Sequence, residues 1–333
     1  CVLCRATGGG HALEKGKLPV AEAVAQVLSP PGASGATTTI DSGVVARTTY
    51  TAAHQMTWRA KVAGYLVTKA VAAGVMLGAA LQVLMGHADE QAAVGVVPPI
   101  VAGAFLGLTG LLLVADLKQP GRFHYLLTRG NRTSWLVKGA YVLMAFAAVC
   151  GLWWVGGLAG AEDLLKVLAV PAVLSAAGAA GYTAYLFAQC EGRDLWQTPL
   201  LLPVLLAQAV TAGGAAYAVM DVFMQIPEPT AVRWVLLGGV ASTALFVAIE
   251  LATHGSRHVE LAVGTMTRGA YARQFGWGGV GLGMIVPAVL VIVALGADLD
   301  GSTLPALAGL AVVIGMFAYE DAVVRAGQSV PLS

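Results

Sequence analysis

Charge is what this chain lacks most. Only 11% of its 333 residues are Asp, Glu, Lys or Arg, against 57% hydrophobic residues and a mean hydropathy of +0.75. A soluble domain covers its surface with roughly 25% charged residues, so the deficit points to lipid as the solvent. A formal net charge of +1 leaves no basic field to hold nucleic acid. Cysteine is scarce too: four residues exclude a disulfide scaffold. Cys1 and Cys4 form a C-x-x-C pair, but no further cysteine follows before Cys150, so a four-thiolate site cannot be completed nearby. Cys150 and Cys190 fall in apolar runs and read as buried thiols. Histidines are missing from the middle of every apolar run, which removes the axial ligands that a membrane haem needs. P-loop, GxSxG and HExxH patterns are absent.

What the chain has is apolar length. Residues 1–60 are small, polar and Pro/Gly-rich, as in Ser29-Pro-Pro-Gly-Ala-Ser-Gly35, and read as an extended arm. Trp58 with Arg59 and Lys61 suits a membrane interface. Eight runs of about 20 residues follow, each long enough to span a bilayer. Their expected positions are 62–85, 94–116, 135–158, 164–189, 198–223, 231–253, 277–296 and 302–322. The segment before the first run, the connections after the even-numbered runs and the tail carry most Lys and Arg, among them Lys118, Arg122, Arg129, Arg132, Arg193, Arg257, Arg268 and Arg325. The other connections hold little more than Lys166 and Arg233. By the positive-inside rule both termini are expected in the cytoplasm of a bacterial cell, with the chain in its inner (plasma) membrane.

The two halves resemble each other. Leu66-Val-Thr-Lys-Ala-Val-Ala-Ala-Gly74 aligns with Leu205-Leu-Ala-Gln-Ala-Val-Thr-Ala-Gly213. Asp116-Leu117 aligns with Glu250-Leu251, Gly121 and His124 with Gly255 and His258, and Thr128-Arg-Gly130 with Thr267-Arg-Gly269. Four spans separate the equivalents, so both repeats run in the same direction. The expectation is an all-α integral membrane protein of eight transmembrane helices in two tandem four-helix bundles, 61–190 and 191–333, behind the arm. Gly74, Gly78 and Gly213 are expected at close helix contacts.

Ionisable side chains inside a span are costly and therefore candidates for function. They are Lys69, Asp116, Lys138, Asp221, Glu250 and the Glu320-Asp321 pair. His254 stands one turn beyond Glu250 and shares its face if the helix continues. Except for Asp221, they gather toward the basic face or in the upper part of the first span. A quinone site needs a hydrogen-bond donor for each carbonyl oxygen and a route for two protons, and His, Lys and a carboxylate near one interface supply both. The bland readings are local: Lys69 pairing with Asp116 or Glu250, Asp116 with Arg122 in its own turn, His54 as an interfacial histidine.

At Asp116-Leu-Lys-Gln-Pro-Gly-Arg-Phe123, followed by Thr128-Arg-Gly-Asn-Arg-Thr-Ser-Trp135, the chain resembles the NrfD-like family, the membrane subunits of polysulfide reductase and related molybdoenzyme complexes. Leu195-Trp-Gln-Thr-Pro-Leu-Leu-Leu-Pro203 and the tail Ala326 to Ser333 extend the resemblance across about residues 50–333. The resemblance implies a membrane subunit of a respiratory oxidoreductase complex that carries no haem and works with quinone or quinol, as menaquinone or ubiquinone. It implies electron exchange with a ferredoxin-like iron–sulfur subunit and, beyond it, a molybdopterin or similar catalytic subunit. Cys1-Val-Leu-Cys4 and Gly16-Lys-Leu-Pro19 look like the remnant of a fused ferredoxin-like domain, with no cluster expected in this chain alone. The family's quinone pocket lies in the first bundle, which implies His54, Lys69, Asp116 and Arg122 as quinone-binding residues. Asp116, Lys69, His54, Glu250 and His254 are then the candidates for catalysis. A proton or ion transporter without redox chemistry, and a structural anchor, are the competing readings.

Overall fold

The structure, a computed structural model, describes residues 58–253, 255–297 and 303–330. All regular structure among them is helical, and eight helices are long and apolar enough to cross a membrane. The protein is a multi-pass membrane protein. This follows from the physics of the backbone: in hydrocarbon every N–H and C=O must be paired within the segment, and a helix does that.

The first span is α1, Ala60–Leu84. The second opens with a π-helical turn, Gln91–Val96, and continues as α2, Val97–Asp116. A tight turn, Pro120–Arg122, and a short helix α3, His124–Thr128, lead to α4, Trp135–Leu158, and α5, Glu162–Ala188. The turn Asp194–Gln197 precedes α6, Leu201–Met220, and α7, Pro229–Ala252. A surface helix α8, Arg257–Thr267, follows; the hydroxyl of Ser256 accepts from the Val259 N–H at its start. The seventh span runs π-helically over Gln274–Ile285 and becomes α9, Val286–Gly296, before α10, Thr303–Ser329.

Except at the end of the last helix, the boundaries lie within three residues of expectation. The seventh span begins three residues earlier, at Gln274, and its glycine-rich first part is wound in wide π turns. The last helix runs seven residues beyond 322, because charges that read as a terminus are internal. Asp321 is buried, lies 2.8 Å from Arg325 Nε one turn on, and accepts a 2.7 Å hydrogen bond from Gln274.

Helix α1 is central. It packs against α2, α5, α6 and α10, and most of its length is buried. At its crossing with α6, Gly74 meets Gly213 so closely that a Cβ on Gly74 would sit 2.1 Å from the Ala209 carbonyl oxygen. The small residues expected at close contacts are there. Hydroxyl pairs tie helices together elsewhere: Thr68 to Thr109 at 2.8 Å between α1 and α2, and Thr211 to Thr243 at 3.2 Å between α6 and α7.

Trp58, just ahead of the first span, packs on other rings. It stacks on Phe187 and Trp196, with ring centroids 5.4 and 5.1 Å away. Its backbone exchanges two hydrogen bonds with the Gln328 amide, at 3.0 and 2.8 Å. Arg193 donates to the Gly327 and Val330 carbonyls alongside. Trp153 is a packing residue, wholly buried, its indole N–H donating to the Val94 carbonyl at 3.0 Å.

Candidate functional site

Because α1 is buried between Val62 and Met76 but for a half-buried Gly64, a charge there must be answered inside the protein. Lys69 is that charge, at 1% exposure. Its ammonium donates to the Thr183 hydroxyl on α5 and lies 4.6 Å from the Tyr182 ring centroid and 5.9 Å from that of Tyr65. An ammonium over an aromatic face is attracted by the ring's negative charge density. The countercharge comes from Glu320 on α10, itself 3% exposed. The Gln208 side chain on α6 lies beside the Glu320 carboxylate. Four helices thus contribute to one buried polar knot.

The knot reaches outward along two arms. On one, Tyr65 stands beside Thr183 and within electrostatic range of Asp116 at the end of α2. Asp116 is half-buried and has Lys61 as its nearby cation; Lys61 Nζ donates to the adjoining Ala115 carbonyl at 2.8 Å. On the other arm, Glu250 at the end of α7 lies within electrostatic range of Glu320 and of Tyr319. All these groups belong to the ends of their helices nearest the basic connections. Lys69 stands nine residues after Ala60, about 14 Å along the helix axis. The array therefore runs from one membrane face to near mid-bilayer.

Of the residues singled out in the sequence, Lys69, Asp116 and Glu250 are brought into this array. Lys69 lies within electrostatic range of Glu320, and among the described residues no ion-pair contact joins Lys69 to a carboxylate or Asp116 to Arg122. Arg122 is exposed in the Pro120–Arg122 turn. His54 and His254 lie outside the described residues. Asp221 sits at the far end of α6, on the opposite face. Sequence reasoning missed Tyr65, Thr183 and Gln208 and did not place Glu320 in the site. In the sequence Gln208 aligns with Lys69, and Tyr182-Thr183 and Tyr319-Glu320 lie toward the ends of α5 and α10.

Two cavities lie apart from Lys69. One of about 20 Å³ is lined by Gln208, Thr211, Thr243 and Tyr319, room for a single water. Another of about 160 Å³ opens between α1, α6 and α7 near the opposite face.

Fold and site together define a multi-span membrane protein with a charge-bearing polar array entered from one face. The family model described as polysulphide reductase, NrfD, matches residues 49–331. The chain belongs to that family. Among curated proteins it is similar to the C chain of polysulfide reductase from Wolinella succinogenes, 23% identical over 299 residues, which cover 82% of this chain and 94% of the relative.

Proposed function

We propose that this chain is the quinone- or quinol-reactive membrane subunit of a respiratory oxidoreductase. It exchanges electrons with a docked iron–sulfur subunit, which serves a molybdopterin or similar catalytic subunit. The observation that carries the reading is the array Asp116–Tyr65–Thr183–Lys69–Glu320–Glu250. Quinol oxidation releases two protons with its two electrons, and quinone reduction consumes them. The array offers carboxylates, hydroxyls and an amine to hold those protons near one face. Lys69 is closed from lipid, so contact with the quinone ring falls to the outer residues, Asp116 and Arg122, with His54 from the preceding segment. Lys69 and Glu320 stand behind them as proton relay, and Glu250 extends the relay toward the same face on α7. The exposed Arg122, Arg129 and Arg132 around α3 supply charge for docking the electron-transfer partner.

A through-going ion path fits less well. Beyond Lys69, α1 continues Ala70-Val-Ala-Ala-Gly74, and the Gly74–Gly213 contact brings two backbones together where a pore would have to pass. The test is quinol-dependent electron transfer in the intact complex, with Asp116→Asn and Lys69→Met each assembled normally. Turnover at the unaltered rate in both variants rejects the reading.

A further inference from the structure

The cavity of about 160 Å³ is not part of the polar array. Its lining comes from α1 (Gly74, Gly78, Gln82), α6 (Gly213, Tyr217) and α7 (Ala231), with further apolar side chains at the rim. Gln82 stands thirteen residues beyond Lys69, about 20 Å farther along α1. Leu81, Met85 and Val210 at the rim are 37–44% exposed, so the mouth faces lipid.

Two buried oxygens in this apolar lining have no partner among the described residues. Tyr217 packs its ring against the bare backbone of Gly78, where a Cβ would come within 2.4 Å of it, and its hydroxyl is buried and unbonded. Gln82 donates its amide N–H to the Pro227 carbonyl at 2.9 Å, which fixes the amide's orientation and leaves Oε1 buried and unbonded. A phenolic hydroxyl and an amide oxygen left unpaired in hydrocarbon are costly. A lipid acyl chain would fill the space and pair neither.

We infer that this cavity binds the hydroxyl-bearing ring of a membrane-soluble phenol. The volume is that of one aromatic ring, since a cavity of about 150 Å³ accepts benzene. The apolar side chains of Leu77, Leu81, Val210 and Val235 supply the contact for a ring. A phenolic O–H donates to Gln82 Oε1, and its oxygen accepts from Tyr217. This does not rest on the function proposed above. The same chemistry belongs to the reduced ring of a quinol and to other lipid-soluble phenols.

The test uses the full chain in phosphatidylcholine nanodiscs, photolabelled with 4-azidophenol and mapped by peptide mass spectrometry. Label is expected within residues 74–85, 210–217 or 231–235. Phenol should protect at a three- to tenfold lower membrane concentration than benzene, the value of one net hydrogen bond. That advantage should shrink in Tyr217→Phe. Ala231→Phe, which fills the cavity from its rim, should abolish the labelling, with Val235→Phe as the substitute if the first variant does not give a monodisperse protein. Competition by a short-chain quinol would name quinols as the source, and competition by 4-propylphenol alone would name another phenol. Equal protection by phenol and benzene, or labelling unchanged in a cavity-filled variant, overturns the inference.

Discussion

Gly74 and Gly213 meet backbone to backbone where α1 crosses α6, each occupying the space that a Cβ on the other would need. They are also the last residues of the two stretches that align between the halves of the sequence. Aligned positions in contact with each other are what a local two-fold relation between α1 and α6 produces. The contact sets how near Lys69 on one helix stands to Gln208 on the other. Gly213→Leu should therefore push the helices apart, at a cost of at least about 2–3 kcal/mol. A fall in Tm and in monodisperse yield on fluorescence-detected size exclusion would show it. Gly238→Leu, where a Cβ meets nothing within 4 Å, serves as the control and should change neither.

Lys69 and Glu320 should be coupled. Removing one charge leaves the other buried without a countercharge, which is destabilising. Lys69→Met and Glu320→Gln are each expected to lower Tm without preventing assembly, and the double variant to recover much of the loss. A double-mutant cycle on purified protein measures this. Additive losses would mean that the two charges do not answer each other. The same double variant should still lose quinol-dependent turnover, which separates the relay role from packing.

Gln328 should hold the end of α10 to the start of α1. Gln328→Leu keeps the bulk but strips both hydrogen bonds from Trp58's backbone. Leaving buried backbone groups unpaired costs about 1–3 kcal/mol each. Tm should fall, and tryptophan emission should shift to the red as the Trp58–Trp196 stack loosens.

Cys190 gives a pH-dependent readout just beyond α5. Burial pushes its thiol up to about 11, with the Arg193 guanidinium pulling partly the other way. The thiolate is the reactive form. Alkylation by a water-soluble maleimide should be slow at pH 7–8 and rise about tenfold per pH unit toward 11. Arg193→Gln should slow it further by removing the favourable charge. A rate that levels off near pH 8–9 would show an ordinary, solvated thiol. In sealed vesicles, the side from which Cys190 reacts also reports the side of the basic face.

Much of the architecture was legible without coordinates. Eight apolar runs of about 20 residues read as eight spanning helices, since a single segment of that length pairs its own backbone in hydrocarbon only as a helix. The boundary that failed by more than three residues is the end of the last helix. Glu320 and Asp321 look like a helix end until Lys69 and Gln274 on other helices are seen beside them. In the site, Lys69, Asp116 and Glu250 stood out because charge inside a span is rare. Gln208, Thr183 and Tyr65 did not, because an uncharged polar residue in a membrane helix is ordinary until something is seen to bond to it.

Eight membrane crossings, a basic face and membership of a family could all be read from the residues in order. Composition, span length and a few contiguous motifs are local properties that survive without a fold. It took the packed helices to show that Lys69 answers Glu320, that Asp116 and Glu250 flank the same buried array, and that Tyr217 and Gln82 share a cavity at the other end. Those relations join residues 100 or more positions apart across five helices, and spacing along the chain carries no record of which faces turn toward each other.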